Sequence, residues 1–123
     1  MANPPVDFRL LAGTGVPARD FKAGDVIFRE GDPAQELFII QSGEVEIRLG
    51  NRILETLPQY GIFGEMALVD NAPRSATAVA ASDATLVPVR EKQFLFLISN
   101  TPYFALNVMR VMARRLRAAN TAL

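Results

Sequence analysis

The 123-residue chain contains no cysteine and no histidine. Without cysteine it has no disulfide framework, no thiol nucleophile and no thiolate ligand for a metal. Without histidine it lacks the side chain most used for acid–base catalysis near neutral pH and the imidazole ligands of most catalytic metal sites. These absences exclude a metal-dependent enzyme built on a small β-barrel, and the sequence shows no other nucleophile–base pair. We therefore expect a binding protein with no catalytic residue, no metal site and no cofactor.

The chain also has little net charge and no long apolar run. Its 13 basic and 13 acidic residues cancel, so no overall field attracts it to nucleic acid or to an anionic membrane. No apolar stretch approaches the roughly 20 residues of a membrane-spanning helix. Residues 1–5 lack the basic start and apolar core of a signal peptide. We expect a single domain over 1–123, in the cytoplasm and with no membrane partner.

Between 19 and 90 the sequence predicts short antiparallel strands. Residues 37–40 form a continuous apolar run, which indicates a strand buried on both faces. Residues 45–49 alternate between apolar and charged, as in a strand with one buried face. Glycine-rich turns at close spacing favour a small barrel or sandwich. Pro88 has no backbone N–H to donate, so we expect its strand to lie at a sheet edge. Residues 1–18 are predicted to be irregular.

Two helices are predicted over 91–120. Thr101 and Pro102 match the cap and first position of the second helix. That helix carries a heptad seam, widened by Val108 and Val111, which either packs on its own barrel or forms a dimer contact; the seam consists of Ala105, Met109, Met112, Leu116 and Ala119. Its end is basic through Arg110, Arg114, Arg115 and Arg117. The helix macrodipole favours cations there, and nucleic-acid binding is the alternative explanation.

The stretch 61–77 carries the binding chemistry. It contains Phe-Gly-Glu-Met-Ala-Leu at 63–68 and Pro-Arg-Ser-Ala-Thr at 73–77. The carboxylate of Glu65 can accept hydrogen bonds from sugar hydroxyls. The guanidinium of Arg74 matches a phosphate, and the small residues after it leave their N–H groups free for the same anion. A nucleotide makes both demands, whereas the alternative is a plain ion pair between the two side chains.

This stretch resembles the phosphate-binding cassette of the cyclic nucleotide-binding domain family. The resemblance covers about 19–120 and departs from the family at the broken N-terminal segment. It implies an antiparallel β-roll (a double-stranded β-helix of jelly-roll type) over 19–90, followed by two C-terminal helices: a mainly β fold with α. In the family the glutamate holds the ribose 2′-hydroxyl and the arginine holds the cyclic phosphate. The ligand-binding residues implied here are Gly64, Glu65, Met66, Arg74, Ser75 and Ala76.

The second helix resembles the dimerisation helix of catabolite-activator-type regulators, including the run 112–116. The resemblance implies a homodimer through 103–119 and a helix that closes over the base and signals by moving, with a hinge near 100–102. A pair of hydroxyl residues faces the base in those regulators. Here the pair is Ala119 and Asn120, so Asn120 is the candidate base contact. The expected ligand is cAMP in preference to cGMP.

The sequence ends at Leu123, before any helix-turn-helix segment of the kind found in those regulators. We therefore expect a stand-alone sensor domain that signals to an unknown downstream protein and does not bind DNA directly. Two alternatives stay open. One is a component of a transcription regulator that acts through a partner chain, and the other is an interaction scaffold that binds no nucleotide.

Overall fold

The structure is a computed structural model that describes the backbone of residues 17–121 and the side chains of residues 17–118. Most of the segment predicted to be irregular, 1–16, lies outside the described residues. The strands are β1 (Arg19–Phe21), β2 (Val26–Phe28), β3 (Leu37–Ser42), β4 (Val45–Leu49), β5 (Arg52–Leu57), β6 (Ile62–Phe63), β7 (Thr77–Ala80) and β8 (Ala84–Val89). The helices are α1 (Met66–Val69), α2 (Glu91–Asn100) and α3 (Pro102–Thr121).

The strands form two antiparallel sheets of four. One has the order β1-β8-β3-β6 and the other β2-β7-β4-β5. Apolar side chains from both sheets meet in one buried cluster, in which Phe38, Val45 and Leu86 are almost wholly excluded from solvent. Burial of this shared cluster holds the two sheets face to face. The predicted mainly β roll, followed by two C-terminal helices, is confirmed.

Strand β3 is buried on both faces, as its apolar run predicts. Phe38 and Ile40 point into the cluster between the sheets. Leu37 and Ile39 point the other way, into a second cluster that contains residues of α2 and α3. The alternation of a strand distributes one apolar run between two cores. β3 therefore joins the roll to the C-terminal helices.

The inner face of α3 packs on the roll. Phe104, Val108 and Val111 are buried, whereas Met109 and Leu116 are 58% and 64% exposed. The predicted seam is therefore divided: the two valines belong to the protein's own core, and the exposed residues lie on another face of the helix. Pro102 begins α3 as predicted. Thr101 also closes the end of α2, since its hydroxyl donates to the Leu97 carbonyl at 2.6 Å.

The expected edge position of Pro88 is wrong. Strand β8 lies between β1 and β3, and Pro88 pairs with Phe38 of β3. However, β1 pairs only with the first three residues of β8, from Ala84 to Leu86. Within residues 17–121, the side of β8 that faces β1 is therefore unpaired at Pro88. Because β1 is short, Pro88 can lie in an inner strand although it has no backbone N–H to donate.

Within the described residues, none of the helices has the length and apolar content needed to cross a bilayer.

Candidate ligand-binding site

A cavity of about 730 Å³ opens beside the stretch 61–77. Cavities of this size hold nucleotide-sized ligands. Every predicted site residue from 64 to 76 lines it, namely Gly64, Glu65, Met66, Arg74, Ser75 and Ala76. Its other walls come from the two strands β4 and β5 and from α3. The side chain of Asn120 lies outside the described residues, so the base contact stays a prediction.

Arg74 is the buried cation of the cavity, with 8% of its surface exposed. One terminal nitrogen donates to the Gly64 carbonyl at 3.2 Å and the other to the Glu36 carbonyl at 2.8 Å. A guanidinium has five N–H donors, so three of them have no acceptor within the described residues, including the buried Nε–H. The ring of Phe28 supports the guanidinium from one face, with its centroid 4.1 Å away. The group is held in place yet keeps donors for an anion.

Burial lowers the pKa of Arg74 below its ordinary value, because water no longer solvates the charged form. The carboxylates of Glu36, Asp32 and Glu65 oppose this shift, in that order of strength. None of them forms an ion pair with Arg74 within the part of the chain that the structure describes. A bound phosphate would accept hydrogen bonds from the charged guanidinium and so replace the water that burial removes.

Gly64 makes room for this guanidinium. Its φ of +75° lies in the left-handed region, which favours glycine. A Cβ at this position would lie 2.6 Å from a terminal nitrogen of Arg74. Both the backbone conformation and the close approach of Arg74 therefore favour a residue without a side chain. The predicted glycine has a steric reason that the sequence pattern alone does not give.

Glu65 pairs with a residue of α3. It is 6% exposed, and its Oε1 accepts a hydrogen bond from Arg115 Nη1 at 2.6 Å. Arg115 also donates to the carbonyl of Ile62 at 2.8 Å and to Glu55 Oε2 at 3.2 Å. The alternative of a plain ion pair between Glu65 and Arg74 is not found here. The arginine of the helix occupies the Glu65 carboxylate instead.

Sequence reasoning missed Arg115 as a site residue. It was grouped with the other arginines of α3, whose position near the helix end the macrodipole explains. Of these, Arg110 and Arg114 are exposed, whereas Arg115 is partly buried and lines the cavity. Its position one turn after Val111, on the face that packs on the roll, is the signal that could have separated it from its neighbours.

The cavity can hold a ligand with an anionic end at Arg74 and a hydroxyl-bearing part at Glu65. Among the described residues, no group of three or more acidic, cysteine or histidine side chains could hold a metal ion. A second cavity, of about 100 Å³, lies between Arg19, Glu36 and Arg90. It is far smaller than the several hundred Å³ typical of ligand pockets.

Comparison with known families agrees with this geometry. The sequence profile of the cyclic nucleotide-binding domain matches residues 18–101. The chain belongs to this family. The match includes the whole roll and the cavity residues from Phe28 to Ala76, and it ends at the junction between α2 and α3, before Arg115 and Ala118.

Individual relatives include transcriptional regulators, a cyclic nucleotide-gated potassium channel and cyclic nucleotide-dependent protein kinases. The cyclic AMP receptor protein of Thermus thermophilus is 39% identical over 110 residues, which cover 85% of this chain and 51% of that protein. The crystal structure of the Thermus thermophilus catabolite activator protein superposes with a TM-score of 0.75 at 37% identity, over 90% of this chain and 55% of the other. The chain spans about half the length of these relatives.

The EAL enzyme Bd1971 also contains a similar region. Its cAMP-bound form superposes with a TM-score of 0.63 at 36% identity, over 86% of this chain and 29% of that one. Its cGMP-bound form gives a TM-score of 0.61 at 37% identity, over 82% and 28%. In that protein the cyclic nucleotide-binding region is therefore a minor part of an enzyme.

Proposed function

We propose that this chain is a cytoplasmic regulatory module that binds a cyclic nucleotide, cAMP in preference to cGMP, and acts as a sensor and not as a catalyst. One observation carries the proposal. Arg74 is a buried, fixed guanidinium with three donors unused, and it lines the same cavity as the buried carboxylate Glu65. A cyclic phosphate fits the first group and a ribose 2′-hydroxyl the second.

The remaining roles are proposed from the resemblance to the family. Ser75 and the amide of Ala76 would complete the phosphate site, and the amides of Gly64 and Met66 would lie near the sugar; all four residues line the cavity. Asn120, whose side chain lies outside the described residues, is proposed as the base contact on the resemblance alone. The preference for cAMP is supported by the name of the Thermus relative, while Bd1971, which contains a similar region, has a cAMP-bound and a cGMP-bound form.

Titration calorimetry with cAMP and cGMP tests the phosphate site. Arg74→Ala removes charge-assisted hydrogen bonds, which should cost on the order of 2–4 kcal/mol, or about 30- to 1,000-fold in affinity. Arg29→Ala is the matched control, because it removes the same charge from an exposed position outside the cavity. Folded wild-type protein that is free of carried-over ligand and binds neither nucleotide would overturn the proposal.

The signal is proposed to leave through α3. Arg115 ties this helix to Glu65 and Glu55 on the roll, and a ribose hydroxyl at Glu65 competes for the same carboxylate. A ligand shifts the helix only if it binds one arrangement better than the other. We expect hydrogen exchange across 103–119 to change on nucleotide binding, with the change beginning near the 100–102 junction. Identical exchange with and without nucleotide would exclude α3 as the readout.

A homodimer through α3 is part of the proposal. Met109 and Leu116 are exposed apolar residues seven positions apart, as on one face of a coiled-coil helix. We expect Leu116→Glu to shift a dimer to monomer in analytical ultracentrifugation. Leu95→Glu is the control, since it makes the same change at an exposed apolar residue of α2. Equal sedimentation of wild type and Leu116→Glu would remove α3 from the interface.

The same titration decides between this sensor and a scaffold, because a scaffold that merely keeps the cassette gives no heat with either nucleotide. A transcription-regulator role differs in its partner. It predicts a co-purifying DNA-binding chain, or salt-dependent DNA binding through the basic end of α3. Affinity purification at low and moderate salt tests for the partner chain and for bound DNA. A protein partner should remain at both salt concentrations, whereas DNA held by the arginines should be lost at moderate salt.

A further inference from the structure

Glu36 contacts Arg74 through its backbone and carries an ion-paired carboxylate on its side chain. Its carbonyl oxygen accepts a hydrogen bond from Arg74 Nη2 at 2.8 Å, the shorter of the two carbonyl contacts of that guanidinium. The residue lies one position before β3, whose pairing with β8 begins at Leu37. Its side chain is 14% exposed and is not part of the lining of the 730 Å³ cavity. Glu36 therefore acts on a ligand in that cavity through Arg74.

Two arginines from other elements hold the carboxylate of Glu36. Arg19 of β1 donates to both of its oxygens, from Nη1 to Oε1 at 2.9 Å and from Nη2 to Oε2 at 3.4 Å. Arg90, just before α2, has its Nε 3.6 Å from Oε2. A two-pronged contact between a guanidinium and a carboxylate has a defined geometry, which a contact between two point charges lacks. The carboxylate is therefore tied to β1 and to the start of α2.

Arg19 is itself held in place, although its side chain is 47% exposed. Its guanidinium lies 5.7 Å from the centroid of the Phe38 ring, and that of Arg74 lies 5.8 Å from the same centroid. Both distances are within the range of a cation–π contact. Glu36 thus has one guanidinium on its carboxylate and another on its carbonyl. Because the residue precedes the paired part of β3, its ion pairs restrict the rotation of the peptide unit that carries this carbonyl.

We propose that Glu36 is a positioning residue for the phosphate contact of Arg74, an inference that rests on the proposed cyclic nucleotide binding. The carboxylate, held by Arg19 and Arg90, fixes the carbonyl that orients the guanidinium. Arg74 then presents its unused donors to the phosphate in one orientation. A simple charge effect has the opposite sign, because a carboxylate near the site repels an anion. Positioning and charge are therefore separable by experiment.

Two substitutions of opposite charge measure the effect in titration calorimetry with cAMP at fixed salt. Glu36→Gln removes a negative charge and Arg19→Gln a positive one, but both break the same ion pair. Positioning predicts that each variant binds cAMP roughly three- to tenfold more weakly. The double variant has the net charge of the wild type. Because the two residues act through one contact, its loss should equal that of either single variant and not the product of the two.

The phosphorothioate analogues of cAMP report the orientation of Arg74. Each of the two diastereomers has sulfur in place of one exocyclic phosphate oxygen, and both carry the same charge. A guanidinium in one fixed orientation meets the two oxygens differently, so wild type should distinguish the diastereomers. In Glu36→Gln the ratio of the two affinities should fall roughly threefold. A loss of folding stability alone would leave this ratio unchanged and would overturn the positioning role.

Glu46→Gln is the matched control. The carboxylate of Glu46 is also paired with an arginine, at 2.6 Å from Arg48 Nη2, and its side chain is 18% exposed, but it is not part of the cavity lining. This variant should keep both the cAMP affinity and the ratio of the wild type. Circular dichroism establishes that each variant is folded.

The outcomes separate this inference from the function on which it rests. Tighter cAMP binding by Glu36→Gln together with weaker binding by Arg19→Gln would overturn positioning in favour of a charge effect. Unchanged affinity in both variants would overturn it as well, because Arg74 would then be oriented without the ion pair. In either case cyclic nucleotide binding stays intact. Failure of the folded wild type to bind cAMP or cGMP would overturn the proposed function and this inference with it.

Discussion

The two ends of the cavity are each held by an arginine, but the two arginines are fixed in different ways. Arg74 donates to backbone carbonyls and lies over an aromatic ring, all within the roll. Its own amide and carbonyl bond to the loop after β2. Arg115 comes from α3 and donates mainly to carboxylates, at Glu65 and at Glu55, that lie 50 and 60 positions earlier in the chain.

We call Arg74 with its two carbonyl acceptors the anchor, and Arg115 with Glu65 and Glu55 the latch. The carbonyls of Glu36 and Gly64 belong to backbone that directly adjoins strands β3 and β6, so we expect the guanidinium of Arg74 to keep its place with or without a ligand. A carboxylate can exchange one donor for another, and Glu65 can accept a ligand hydroxyl in place of Arg115. We expect changes at the phosphate end to affect affinity above all. Changes at the helix end should affect affinity, stability and the position of α3 together.

After Arg74→Ala itself, the largest effect is expected from Gly64→Ala, which disturbs the position of the Arg74 guanidinium. A non-glycine residue at φ +75° costs about 1–2 kcal/mol. Its Cβ would also meet Arg74 Nη1 at 2.6 Å and push the guanidinium out of place. We expect cyclic nucleotide affinity to fall by more than roughly tenfold in calorimetry, beyond the loss of folding stability.

Gly24→Ala is the control for Gly64→Ala. Gly24 has a similar φ of +91°, but nothing lies within 4 Å of the added Cβ. It should show the loss of stability without the loss of affinity. Equal nucleotide binding by the two variants would mean that the exact placement of Arg74 does not limit binding.

The next effect concerns the carboxylate that the ligand and the latch share. Glu65→Gln keeps the shape of the side chain but makes its hydrogen bonds neutral, and we expect roughly tenfold weaker cAMP binding. The decisive probe is 2′-deoxy-cAMP. Wild type should bind it more weakly than cAMP, and this difference should shrink in Glu65→Gln. Glu55→Gln removes the other carboxylate partner of Arg115 and should keep the full difference. An undiminished difference in Glu65→Gln would place the 2′-hydroxyl elsewhere.

A smaller effect is expected from opening the latch itself. Arg115→Ala removes three hydrogen bonds and leaves the buried Glu65 without its cation. We expect about 1–2 kcal/mol less stability in urea unfolding and faster hydrogen exchange near the end of α3. Arg114→Ala, at the exposed neighbouring position, should stay within about 0.5 kcal/mol of wild type. A stable Arg115→Ala variant with unchanged exchange would show that α3 is held by its apolar face alone.

The two ends also differ in how far the sequence predicts them. The anchor lies in one stretch, and the type and order of Gly64, Glu65 and Arg74 determine its chemistry locally. The latch joins residues 50 positions apart, and the spacing of Arg115 from Val111 becomes informative only once the buried face of α3 is known. The macrodipole gave a sufficient reason for all of them, so the special role of Arg115 became visible only once the helix was packed.

In the fold, too, the sequence predicts local features and misses tertiary ones. The apolar run of β3 and the alternation of β4 predict strands because period and burial are local properties. Pro88 was expected at an edge, because a single sequence does not show that β1 is too short to cover it. The seam of α3 was read as continuous, because spacing alone does not tell the buried Val108 from the exposed Met109. Lengths of neighbouring strands and the orientation of a helix are tertiary properties.

The smallest effect is expected at the ring beneath the anchor. Phe28→Leu keeps an apolar side chain under Arg74 but removes the aromatic face 4.1 Å from the guanidinium. A cation–π contact of about 0.5–1 kcal/mol corresponds to roughly two- to fivefold weaker nucleotide binding. Phe21→Leu is the control, since Phe21 is a half-buried aromatic packed on the same core and makes no described contact with Arg74. Equal affinities for the two variants would show that the carbonyls of Gly64 and Glu36 suffice to hold the guanidinium, which would sharpen the contrast between a backbone anchor and a side-chain latch.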